Sequence, residues 1–212
     1  MVNETGGRPR LTRKGERTRA RIVAEAAALI HERGVAGTTL DDVKAAAEVS
    51  GSQMYHYFPD KNDLVQAVID YQADAVVSNQ RHADLGSVEG VQAWRNMVIR
   101  AAERVQAKGG CPLGSLGGQL AESDPEARSL IAAGFERWTA EISAGLRSLQ
   151  AAGQLPPALD PADLAVTLLA TLQGGLLLAQ VQRSTRPFET AVDTLLALTI
   201  GGSAQGPSAS SS

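Results

Sequence analysis

Residues 38–61 read TTLDDVKAAAEVSGSQMYHYFPDK, and this run decides the fold. Thr38 and Thr39 stand ahead of Leu40-Asp41-Asp42. A hydroxyl followed by acids suits a helix start, because the first N–H groups lack partners and the dipole there is positive. Ser50 repeats the capping signal, and Pro59 ends the helix it opens, having no N–H to give. The spacing predicts two short helices, 40–47 and 51–57, joined by Glu48-Val49-Ser50. Leu40, Val43, Ala47, Val49, Met54 and Phe58 then face inward. They close against Ile22, Ala26 and Leu29 of a longer helix over 13–33, which Gly34 stops. Two short helices backed by a third form a helix-turn-helix unit.

In that geometry the first turn of the second short helix presents Ser50, Gly51, Ser52 and Gln53 to solvent. This is the end that enters a DNA major groove, and small residues let the backbone approach. Gln53 is the expected base reader, since a carboxamide pairs bidentately with adenine. Tyr55, His56 and Lys61 lie where phosphates pass and would position the protein without reading sequence. Tyr57 and Phe58 are expected in the core. Thr38 and Thr39 complete the expected DNA-facing set of this unit.

Charge distribution agrees. The whole chain carries a net −3. Residues 1–22 hold Arg8, Arg10, Arg13, Lys14, Arg17, Arg19 and Arg21 against Glu4 and Glu16, a net +5, which leaves −8 on the remainder. A basic head on an acidic body fits a polyanion met at one end. Two readings of Gly7-Arg8-Pro9-Arg10 stay open: an arm lying in an A·T-rich minor groove, or a solvated tail.

The rest of the 212 residues follow a helical period with no strand-like alternation. Helices are expected from Lys61 onward, over Val91–Ala107, briefly after a loop GGCPLGSLGG (109–118), from Asp124-Pro125 to Gly153, over 161–183 and over 187–200. The expected class is all-α, with a three-helix N-terminal domain and a larger helical domain. The expected division is a flexible basic arm at 1–11, the helix-turn-helix at 12–61, a ligand-binding and dimerisation domain at 62–200, and a disordered tail at 201–212.

The run TTLDDVKAAAEVSGSQMYHYFPDKNDLVQAVI resembles the DNA-binding domain of the TetR (tetracycline repressor) family. The likeness rests on Thr38-Thr39, the Val49-Ser50 turn, the Tyr55-His56-Tyr57-Phe58 block, and Lys61 followed by Asp63-Leu64, with Gly34 and Gly37 in place. It spans about residues 16–70. Two positions depart from the family pattern: Glu48 stands where glycine is usual, and Gly51-Ser52 where a basic residue and then glycine are common. Further on, GGCPLGSLGGQLAESDP and LQGGLLLA look like the LmrA/YxaF-like subgroup. The resemblance implies a bacterial, cytoplasmic, ligand-responsive repressor. It would be a homodimer of all-helical subunits on a palindromic double-stranded operator.

Apolar surface on the last two helices is expected to form the dimer contact, through Leu168, Leu172, Gly174, Gly175, Leu176, Val192, Leu195 and Leu196. Ordinary core is the competing reading of these residues. A small apolar or aromatic inducer is expected among Trp94, Met97, Cys111, Leu116, Phe135, Trp138, Thr139 and Gln173, since two tryptophans stand out in a chain with 4% aromatic residues. Each is singly more consistent with packing. Cys111 is the one cysteine, so no intrachain disulfide forms, as suits a reducing cytoplasm. It reads as an apolar filler, with a redox sensor or nucleophile as alternatives.

The histidines His31, His56 and His82 have no metal-ligand spacing, and no phosphate loop is present. No enzyme, cofactor or metal is therefore expected. Leu164–Gln182 is uncharged, but its Thr, Gln and Gly content suits a buried helix better than a membrane span. MVNETGGRPR lacks the apolar core of a signal peptide. A non-specific architectural DNA binder remains the main rival. Activation in place of repression is left open by the sequence.

Overall fold

Among the described residues, each helix begins where a side chain accepts from its unpaired N–H groups or where a proline leaves one fewer to satisfy. In a computed structural model, residues 11–200 are described; the expectations for 1–10, including Arg8 and Arg10, and for 201–212 lie outside the described residues. Nine helices and no strand occur among the described residues: α1 (Arg13–Arg33), α2 (Leu40–Ala46), α3 (Gly51–Tyr57), α4 (Lys61–Arg81), α5 (Val88–Arg104), α6 (Pro112–Leu120), α7 (Pro125–Ala151), α8 (Pro161–Gln182) and α9 (Arg186–Thr199). The fold is all-α. It divides into two compact units, and the division falls inside α4, between Tyr71 and Gln72.

The first unit is built as the apolar spacing requires. Ile22 and Ala26 of α1 are fully buried, as are Val43, Ala47, Met54 and Phe58 of the two short helices. Leu29 and Leu40 are only half-buried. The guanidinium of Arg19 lies 5.2 Å from the Phe58 ring centre, a cation–π contact over the end of α3. Between α2 and α3, Glu48 adopts φ +50°. This left-handed backbone puts the Cβ of an L-residue against its own carbonyl, which is why glycine is usual there.

In the second unit α8 packs against both α7 and α9, while α6 lies on α7. Leu113, Ile142, Leu149, Leu155 and Phe188 are among its most deeply buried side chains. Gly175 allows the close approach of α8 to α9, since a Cβ there would lie 2.9 Å from the Phe188 Cα. Two boundaries differ from the sequence expectation. α5 begins at Val88 because Ser87 caps it, and α6 begins at Pro112, inside the run read as loop, because Cys111 takes the capping position. Proline fits that first helical position, where no N–H bond is lost.

α8 is not simply a buried helix. Leu164, Leu168, Leu169, Leu172 and Gly175 are buried against its neighbours. Val166, Leu177, Leu178 and Val181 lie uncovered on the subunit surface, Val181 at 73% exposure, and Leu198 of α9 reaches 75%. By length and composition alone α8 could cross a membrane, yet only 39% of its most apolar window is buried within the subunit.

Candidate DNA-reading head and effector core

α3 owes its form to a reciprocal cap. Ser50 Oγ accepts from the Gln53 N–H at 3.2 Å, and Gln53 Oε1 accepts from the Ser50 N–H at 3.0 Å. Such a box satisfies two donors at a helix end that is otherwise seven residues long. α2 carries the same device. The Thr39 hydroxyl and backbone N–H both donate to Asp42 Oδ2, at 2.5 and 2.8 Å. These bonds hold the Asp42 carboxyl below its ordinary pKa.

The face left open on α3 comprises Ser52, Tyr55 and His56, all exposed. A Cβ on Gly51 would meet nothing within 4 Å, so a phosphate backbone can come close there. Arg13, Lys14, Arg17 and Arg21 of α1 are also exposed, and Lys61 is half-buried at the start of α4. This is a small, cationic, hydroxyl-rich surface, suited to phosphate contact and groove approach.

Two sequence expectations change here. Thr38 does not face outward. It is 2% exposed, and its hydroxyl donates to the Gly34 carbonyl at 2.9 Å. It fastens the end of α1 to the start of α2. Gln53 is exposed, but its carboxamide oxygen is engaged by Ser50. Bidentate pairing with adenine needs both ends of that group, so it requires the cap to open.

His31, on α1, is half-buried, and its Nδ1 is buried without a hydrogen-bond partner. Burial lowers its pKa below 6.5.

The expected ligand-core residues fall into separate groups. Cys111 and Gln173 meet: the thiol sulfur accepts from Gln173 Nε2 and from the Gly114 N–H, each at 3.5 Å. Phe135 and Trp138 lie near-parallel, 6.5 Å apart on α7, and the Thr139 hydroxyl donates back to the Phe135 carbonyl at 2.9 Å. Trp94 and Leu116 are buried. Met97 is not part of this core; it sits 40% exposed on the outer side of α5.

Sequence reading missed Gln80. This side chain is 4% exposed, and its Oε1 accepts from the Trp138 indole N–H at 3.0 Å. Its partner is 58 residues away in the chain, so no local pattern could reveal the pair. A separate groove of about 570 Å³ runs between α5 and α9, past Val91, Arg95 and Leu196. Arg95 is held there by both carboxylate oxygens of Asp193. Among the described residues no cluster of His, Cys, Asp or Glu could hold a metal ion.

Four residues expected at a dimer contact are buried inside the subunit: Leu168, Leu172, Gly175 and Val192. Gly175 serves the packing of α8 with α9 instead. Gly174 is exposed, with open space where its Cβ would lie, and Leu176, Leu195 and Leu196 are half-buried.

Known proteins share both halves of this architecture. Residues 22–68 match the family described as bacterial regulatory proteins, tetR family. Residues 87–195 match the tetracyclin repressor-like C-terminal domain. An uncharacterized HTH-type transcriptional regulator of Mycobacterium tuberculosis is 30% identical over 178 residues, covering 81% of this chain and 88% of that protein. The HTH-type transcriptional repressor DhaR of Mycobacterium sp. strain GP1 is 25% identical over 81% of this chain and 86% of its own. Among solved structures, a regulatory protein TetR from Rhodobacter sphaeroides superposes with a TM-score of 0.78 at 21% identity, over 86% of this chain and 99% of the other. A TetR transcriptional regulator from Chloroflexus aurantiacus does so with a TM-score of 0.73 at 29% identity, over 88% and 97%. The chain therefore belongs to the TetR family of bacterial helix-turn-helix transcriptional regulators, and DNA binding is the work of its first unit.

Proposed function

We propose that the protein is a cytoplasmic homodimeric repressor that binds a palindromic operator and releases it when a small apolar molecule enters the second unit. The observation that carries this reading is the pairing of two surfaces in one chain. One is the exposed cationic head with an open Gly51; the other is the uncovered apolar face of Val166, Leu177, Val181 and Leu198. An apolar stripe of that kind on a charged protein marks an association site. A two-fold dimer built through it carries two heads, and half-sites would then lie about 34–36 Å apart or at a multiple of that distance.

Release by an effector is coupling between two sites, so operator DNA must weaken effector binding by the same factor. The subgroup likeness of residues 109–125 rests on the sequence alone and is part of this proposal. The test is titration of purified protein against duplex from upstream of its own gene and against a shuffled duplex, at two salt concentrations. Tight binding to the native duplex alone, with two subunits or a multiple of two per site, supports the reading. Equal binding to both, collapsing together as salt rises, would leave only backbone electrostatics and favour an architectural role.

A further inference from the structure

Inside the second unit, two polar groups are more than nine-tenths buried yet lack a partner: the Gln80 amide nitrogen and the Ser143 hydroxyl. The orientation of Gln80 is not arbitrary. An indole N–H can only donate, so the Trp138 contact fixes the carboxamide oxygen toward the ring and turns the NH2 group away from it. Both remaining protons are then buried with no acceptor. A buried donor left in that condition costs more than a made hydrogen bond contributes on balance, so such a group calls for a partner.

We propose that the Gln80 amide is the polar anchor of the effector site, donating to a carbonyl oxygen on a neutral, mainly apolar molecule. The proposal rests on the effector-released reading above and names the ligand chemistry within it. Neutrality follows from the surroundings. No Lys or Arg is buried among the described residues, so a carboxylate would lose its hydration with no cation to replace it. An aromatic body is favoured by the near-parallel rings of Phe135 and Trp138, the latter being the residue that pins Gln80.

Three probes of like size separate these terms: acetophenone, α-methylstyrene, in which a methylene replaces the carbonyl oxygen, and benzoate, which adds charge. Calorimetric titration of the full-length protein is expected to show acetophenone binding about five-fold more tightly than α-methylstyrene, the worth of one neutral hydrogen bond. Benzoate should bind least. Gln80→Met should bring the first two within about two-fold, with the helical circular dichroism unchanged.

A second measurement needs no variant: the Gln80 side-chain amide protons should move downfield in NMR spectra with acetophenone but not with α-methylstyrene. No preference in the wild type, no binding of any probe, a preference for benzoate, or unmoved amide protons would each overturn the assignment. The two proposals fail separately. A Gln80-dependent preference without any loss of DNA affinity keeps the site and removes the effector role. DNA release by small molecules that persists in Gln80→Met keeps the effector role and removes this site.

Discussion

Ser50 and Gln53 are bonded to each other twice, each side chain accepting the backbone N–H of the other. Gln53 therefore serves the stability of α3 while standing exposed on the surface proposed to meet DNA, and substitution can separate the two roles. Gln53→Ala removes half of the box and should destabilise the first unit by about 0.5–2 kcal/mol in urea denaturation. Gln53→Glu keeps an acceptor for the Ser50 N–H but offers DNA only negative charge. It should stay within about 0.5 kcal/mol of the wild type while losing operator affinity. Loss of specificity at one base pair in Gln53→Ala, about 1–3 kcal/mol, would show that the cap opens on DNA. A stability change with unaltered sequence preference would make Gln53 a cap only.

The turn between α2 and α3 is held at a conformation that Glu48 resists, at φ +50°. Glu48→Gly should relieve that strain and raise stability by about 1 kcal/mol, less whatever entropy the unfolded chain gains. The midpoint of urea denaturation measures it. An unchanged or lower midpoint would mean that the exposed Glu48 side chain stabilises the turn in some other way.

The apolar residues of α8 divide by side, and the division is testable by charge. Leu177→Glu with Val181→Glu places two carboxylates on the uncovered face. This should yield helical subunits that sediment as monomers and bind DNA weakly. Leu172→Ala removes a side chain that is 2% exposed and should cost about 2–5 kcal/mol of stability. A double variant that still sediments as a dimer would place the contact elsewhere on the subunit.

Acid should weaken the first unit in two steps. Burial lowers the His31 pKa, so the unfolded chain takes up a proton near pH 6.5 more readily than the folded one. The stability this provides is complete above pH 6.5 and declines as pH falls toward the lower folded value. The hydrogen bonds to Asp42 act in the same sense further down. Its folded pKa is below 3.8, so its contribution is present above that value and is lost as pH falls through the folded one. Denaturation midpoints across the acid range should fall in His31-containing protein and show a smaller first step in His31→Gln. An equal first step in both proteins would assign it to another group.

The head was legible because its signals are local. Thr39, Ser50 and Pro59 mark helix ends within a few residues, and the inward set from Val43 to Phe58 follows one period. Glu48 was marked by the family resemblance, as a residue in a position where glycine is usual. α8 gave no such guidance. With Leu168, Leu169, Leu172, Leu176, Leu177 and Leu178 together it is apolar on every side. Which leucines meet α7 and α9 is set by tertiary packing, and four of the expected contact residues proved to be core. The expected ligand core shows a third case. Trp138 could be named from its rarity, but Gln80 is one of several polar residues on α4 and gains meaning only through a partner in a distant helix. Thr38 differed for another reason: its buried hydroxyl donates to the Gly34 carbonyl, a contact that only the folded end of α1 supplies.

The uncovered side of α8 and α9 has a consequence for dosage. A subunit that hides this surface only against its twin has a stability set partly by how many twins are present. On that reading, dilution would loosen the protein as well as dissociate it, and a newly made chain is safest when a second emerges beside it. Occupancy of the regulated site would rise with the square of the subunit concentration while monomers predominate. A modest change in synthesis would then register as a sharper change in control, before any small molecule intervenes.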